Sequence, residues 1–138
     1  MRSTWKVLGA AASLVLLPQM VAADTIEDQM KLMQQRMMES VPKADVVITN
    51  PTHYSVALKY ERGKQGAPEV VAKWLDDLAL RIREIAKEHD VPLMEDPPLA
   101  RALHRAVDVG QQIPAKFYQA VATVLSHVYG MKDKERVA

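Results

Sequence analysis

Residues 44–60 read Ala44-Asp45-Val46-Val47-Ile48-Thr49-Asn50-Pro51-Thr52-His53-Tyr54-Ser55-Val56-Ala57-Leu58-Lys59-Tyr60, and this stretch decides the fold. On either side of Asn50-Pro51-Thr52-His53 lies a short run rich in β-branched or aromatic residues, types that suit a pleated, half-buried surface. Asn and Pro both favour turns for steric and local hydrogen-bonding reasons. The segment therefore reads as strand, turn, strand.

The turn also carries chemistry. In most Asn-X sequences the following backbone N–H attacks the Asn side chain and leads to deamidation, but Pro51 has no N–H to supply that nucleophile. The reverse attack remains: the Asn50 amide nitrogen closes on its own backbone carbonyl, forms a C-terminal succinimide and releases Pro51 as a new N-terminus. A turn can hold the side chain near that carbonyl, so folding meets part of the entropy cost of reaching the attack geometry. His53 lies where a β-turn brings chain ends together; it can polarise the carbonyl, move a proton to the departing nitrogen, or simply fix the turn by a hydrogen bond. Thr52 shapes the turn. Taken alone, Asn50-Pro51 reads as an ordinary turn.

Outward from the turn, strands and helices alternate. Asp24 with Glu27, or Thr25 with Asp28, can cap a helix carrying Met30, Met33, Met37 and Met38 on roughly one face, expected to pack as a linker helix that Pro42 ends. A polar, glycine-bearing loop over residues 61–66 precedes a third strand around Val70-Val71-Ala72. Leu75, Leu78, Ala79, Ile82, Ile85 and Ala86 then recur at helical spacing, with Arg81, Arg83, Glu84, Lys87 and Glu88 mostly outside that stripe. Val91 to Met94 reads as a fourth strand, Pro98 opens a short helix through Leu103 and His104, and Pro114 opens a last helix that Gly130 stops. The expected fold is α/β: a small four-stranded sheet surrounded by helices and preceded by the linker helix.

The tetrapeptide and its flanks, continued by Ala67-Pro68-Glu69-Val70-Val71-Ala72-Lys73, closely resemble the cytoplasmic domain of the FlhB/YscU family of type III secretion export-switch proteins. The likeness runs from about Gln34 to Met131 and includes Arg36-Met37-Met38, Val41-Pro42-Lys43-Ala44-Asp45, Glu95-Asp96-Pro97-Pro98-Leu99-Ala100-Arg101, Ile113-Pro114 and Tyr118-Gln119-Ala120-Val121-Ala122. Ala57-Leu58-Lys59-Tyr60 and the run Pro97 to Leu103 favour the flagellar branch. The resemblance implies that the Asn-Pro bond is an autocleavage site, with Asn50, Pro51, Thr52 and His53 as the reacting motif. It implies single-turnover processing, which lets an export gate switch from early rod and hook substrates to late filament substrates. It further implies partners among export-apparatus proteins, exported substrates and the substrate-length control protein, and a place at the cytoplasmic face of the bacterial inner membrane. One position departs from the pattern: Trp74 stands where the family usually has Gly, which points to a reshaped strand-to-helix join.

Composition narrows the alternatives. A chain of 138 residues, 49% hydrophobic, has room for one compact domain with a modest core. Eighteen basic against seventeen acidic residues give a net charge of +1, which leaves no electrostatic footprint for nucleic acid. The absence of cysteine removes disulfides, thiolate metal sites and cysteine nucleophiles, and His53, His89, His104 and His127 have no zinc-like spacing with carboxylates. No metal or cofactor is expected. Asp76-Asp77 and Glu95-Asp96 read as helix-end or surface groups rather than paired catalytic acids.

The N-terminus pulls the other way. Arg2 and Lys6, the apolar run Val7 to Leu17 and Val21-Ala22-Ala23 have the layout of a secretory signal peptide and are short for a spanning helix. The family resemblance implies four membrane-spanning helices ahead of the domain, and this sequence lacks them. Residues 1–23 are open to three readings: a true signal, a retained anchor that also places the domain outside, or a leader attached by truncation, rearrangement or a mis-called start. The expected organisation is 1–23 leader, 24–42 linker helix, 43–131 self-cleaving switch domain and 132–138 polar tail. Two other readings stand beside the export switch: a truncated interaction module that does not switch, and a secreted periplasmic protein.

Overall fold

The computed structural model describes residues 25–137 apart from Thr52, Arg62, Lys64 and Gln65. The leader reading for residues 1–23 and the role assigned to Thr52 lie outside these described residues. Contacts divide the chain into a first unit ending at Gln35 and a second beginning at Arg36.

Helix α1 spans Ile26–Ser40. Thr25 and Asp28 start it reciprocally: the Asp28 N–H donates to Thr25 Oγ1 at 3.2 Å and the Thr25 N–H to Asp28 Oδ2 at 3.3 Å. The expected methionine packing is met only at the C-terminal end of the helix. Met37 is buried, whereas Met30 and Met33 are exposed. A 3₁₀ turn over Val41–Lys43, containing Pro42, ends the helical run.

The second unit is built on a sheet of β1 (Val46–Asn50), β2 (Tyr54–Lys59), β3 (Glu69–Leu75) and β4 (Leu93–Glu95), in the order β3-β2-β1-β4. β1 and β2 form an antiparallel hairpin with Val46 opposite Leu58 and Asn50 opposite Tyr54. β3 extends it antiparallel, and β4 joins parallel to β1. Helix α2 (Asp76–Glu88) follows β3, α3 (Pro97–Ala106) follows β4, and α4 (Tyr118–Val137) closes the chain.

The two central strands bury both faces, not the one that a half-buried strand would. Val46, Ile48, Val56, Leu58 and Val70 pack against Leu99, Ala100 and Leu103 of α3 and Val121, Val124, Leu125 and Val128 of α4. The alternate residues Val47, Ala57 and Ala72 pack with Met37, Val41, Ile82, Ile85 and Ala86 on the other side. This sandwiching explains why both strands read as nearly continuous apolar runs. A four-stranded mixed sheet lies between helices, as the alternating pattern predicts.

Three details differ from the sequence reading. Helix α4 continues through Gly130, because a glycine ends a helix by turning left-handed, and the described glycines with positive φ are Gly63, Gly66 and Gly110. Pro114 precedes a 3₁₀ turn, Ala115–Phe117, rather than opening α4 directly. Leu75 is exposed at the end of β3 instead of joining the buried stripe of α2.

Candidate functional site

Asn50 is the last residue of β1 and Tyr54 the first of β2, so Pro51, Thr52 and His53 make the whole hairpin connection. The His53 N–H donates to the Asn50 carbonyl oxygen at 3.1 Å, closing the turn. That oxygen belongs to the Asn50-Pro51 peptide bond. A fixed main-chain donor therefore already sits on the carbonyl that cyclisation would attack, within the distance at which such donors stabilise a developing oxyanion.

The turn is tied down by three residues from outside the hairpin. Pairing of Tyr54 with Leu75 brings the end of β3 beside it, and there the Asp76 N–H donates to the His53 carbonyl at 2.9 Å. Arg83, two turns along α2, donates from Nη1 to the Pro51 carbonyl. Upstream, the Asp96 N–H donates to the Thr49 carbonyl at 3.0 Å, while the Asp96 side chain caps α3 by accepting the Leu99 N–H at 3.2 Å.

The His53 imidazole contacts Asp76. Its Nδ1 lies 3.3 Å from Asp76 Oδ1, with both side chains well exposed at 62% and 72%. A contact so open to water contributes little to stability. The ring meets Tyr54 edge-on at 6.4 Å, and Tyr54 in turn meets His104 at 5.1 Å. Burial, and then the nearby Lys73 ammonium, hold the His104 imidazole below its ordinary pKa of 6.5. Lys73 also donates to the His104 carbonyl at 2.8 Å.

Trp74 does not take the left-handed conformation that a glycine would permit. It lies in β3 opposite Ser55, and the positive φ at this join falls on Asp76, at 49°. Asp76, Arg83 and Asp96 were not legible as part of the site. The sequence presented Asp76 and Asp96 as helix-end residues, which they are, and Arg83 as part of an outer polar stripe. No local spacing signals that all three reach one turn.

Apart from the turn, a concavity of about 520 Å³ is lined mainly by apolar groups of Tyr60, Ala67, Pro68, Tyr118, Ala122 and Leu125. Among the described residues no group of three or more His, Cys, Asp or Glu is arranged to hold a metal ion. Among the same residues no helix is long and apolar enough to cross a membrane.

Comparison with known proteins gives a consistent match. The model of the FlhB, HrpN, YscU and SpaS family matches residues 19–128. The flagellar biosynthetic protein FlhB of Salmonella typhimurium is 63% identical over 99 residues, covering 72% of this chain and 26% of that protein. The chain thus spans about a quarter of the length of that relative. Among solved structures, the cytoplasmic domain of FlhB from Shewanella putrefaciens superposes with a TM-score of 0.71 at 44% identity, covering 75% of this chain and 79% of that one. A mutated EscU C-terminal domain superposes with a TM-score of 0.64 at 33% identity, covering 67% of this chain and 92% of that one.

Proposed function

Because the chain belongs to the FlhB, HrpN, YscU and SpaS family of type III export proteins, we propose that its domain cuts its own backbone between Asn50 and Pro51 and thereby changes which substrates the flagellar export apparatus accepts. The observation that carries this reading is the closed turn itself. An Asn-Pro bond, unable to deamidate through a following N–H, sits at the tip of a hairpin with the His53 N–H already on its carbonyl oxygen.

In this reading Asn50 Nδ2 attacks the Asn50 carbonyl carbon, and the main-chain donor of His53 stabilises the oxygen as it becomes negative. The bond to Pro51 then breaks, leaving a succinimide at Asn50 and a secondary amine at Pro51. The His53 side chain, directed to Asp76, supports the turn more than the proton transfer. Thr52 completes the connection. The event happens once per chain and turns over no external substrate.

The associated roles follow from the family. The domain works at the cytoplasmic face of the inner membrane and meets export-apparatus proteins, exported rod, hook and filament proteins and the length-control protein. The groove lined by Ala67, Pro68, Ala122 and Leu125 supports a docking role, since an apolar concavity with a few polar groups is the kind of surface that takes up a ligand's apolar groups. Ala122 is exposed on α4, so Ala122→Glu is expected to leave cleavage intact and weaken binding of exported flagellar proteins, measured by fluorescence anisotropy.

Intact-mass spectrometry tests the central step. The purified protein should yield two associated pieces, one ending at Asn50 and one beginning at Pro51, and Asn50→Ala should yield one uncut chain. A folded wild-type protein that stays full-length on prolonged incubation would exclude the mechanism.

A further inference from the structure

The two sides of the Asn50-Pro51 bond are held by different elements. On the Asn50 side, Thr49 is tied to Asp96 at the start of α3. On the Pro51 side, both contacts come from α2: the Arg83 guanidinium on the Pro51 carbonyl and the Asp76 N–H on the His53 carbonyl. We propose that α2 is a clamp on the leaving side of the scissile bond, with Arg83 as its positioning residue and Asp76 as its pivot. The inference rests on the self-cleavage reading and adds a helix outside the hairpin that sets the rate.

The chemistry shows what such a clamp contributes. A bond forms between Asn50 Nδ2 and the Asn50 carbonyl carbon, and the bond from that carbon to the Pro51 nitrogen breaks. One proton leaves Nδ2 to solvent and one is gained by the prolyl nitrogen from solvent. The nitrogen leaves readily only once its lone pair is out of conjugation with the carbonyl and free to take that proton. The proline ring already fixes φ, so anchoring the Pro51 carbonyl fixes the remaining freedom of that residue and, with it, the orientation of the leaving nitrogen. Arginine suits this task because its donors form a rigid planar fork that loses little freedom on making a hydrogen bond.

Two further observations support the clamp. Asp76 adopts a left-handed backbone, φ 49°, a region that Asp tolerates better than most non-glycine residues, and this conformation accompanies the N–H that reaches back to the cleavage turn. On the outer face of α2, Glu84 and Glu88 pair with Arg81 at 3.3 and 4.0 Å, which leaves the Arg83 guanidinium directed to Pro51. Neither α2 contact depends on the scissile bond. After cleavage the new prolyl N-terminus stays on α2 while Asn50 stays with β1.

The test is a cleavage time course of the full chain made by cell-free synthesis, followed by gel and intact mass, for wild type, Arg83→Gln and Arg83→Lys. Arg83→Gln is expected to slow cleavage by about tenfold, as loss of a positioning contact does, and Arg83→Lys to restore part of the rate. Thermal melting of both substitutions in an Asn50→Ala background is expected to match that of Asn50→Ala alone. In the cut protein, an amine-reactive label should reach Pro51 faster in Arg83→Gln than in wild type. Wild-type cleavage with an unchanged Arg83→Gln rate overturns the clamp alone. Slowing that tracks a lower melting temperature, without rescue by lysine, also overturns it. A wild-type chain that never cleaves overturns the self-cleavage reading itself.

Discussion

Asp76 is the residue at which fold and site meet. Its φ of 49° costs an L-residue on the order of 1 kcal/mol, and its side chain and main chain both engage His53. Asp76→Gly removes the strain and loses only an exposed contact, so unfolding in urea should shift by no more than about 1 kcal/mol. Asp76→Val, whose branched side chain resists that backbone, should destabilise by about 2 kcal/mol. Both belong in an Asn50→Ala background so that cutting does not confound the measurement. His53 separates main-chain from side-chain roles at the same scale. His53→Ala keeps the N–H that donates to the Asn50 carbonyl, so it should slow cleavage while Asn50→Ala abolishes it, read by intact mass over time.

At the scale of elements, α3 connects capping to the turn and pH to stability. Asp96→Ala removes the cap on the Leu99 N–H and should cost about 1 kcal/mol in chemical denaturation. Cleavage should persist, because the Asp96 N–H to the Thr49 carbonyl is main chain. His104, on the same helix, has its pKa held below 6.5 by burial and by Lys73. A histidine depressed in the folded state leaves the unfolded chain binding more protons. Its contribution is therefore intact above pH 6.5 and is lost as the pH falls below that value toward the folded pKa. Melting temperature should drop over that window, and His104→Gln should flatten this part of the profile. The elements also show where local reading fails: Gly130 looks like a stop, yet α4 runs through it to Val137, because a glycine's permissiveness ends a helix only if the backbone uses it.

Across the whole molecule, burial of both sheet faces determines what cutting can do. β1 is held by β4 and β2 as well as by side chains from both helical layers. A single broken peptide bond at the hairpin tip leaves these contacts in place. The pieces 1–50 and 51–138 should therefore co-elute in native gel filtration and separate only in denaturant. The effect of cleavage is expected to remain at the turn and at the two helices that tie it down.

By itself the sequence determined what depends on near neighbours. The hairpin followed from the apolar runs around Asn50-Pro51, the helices from their repeating apolar stripes, and the proposal of cleavage from a proline that lacks an N–H. Tertiary structure alone decided that β4 joins β1 in parallel, that β1 and β2 are buried on both faces, and that Asp76, Arg83 and Asp96 converge on one turn. The partners of His53 and Pro51 lie 23 and 32 residues away along the chain. Contacts of that kind are set by strand register and helix placement, which side-chain periodicity within a segment does not encode.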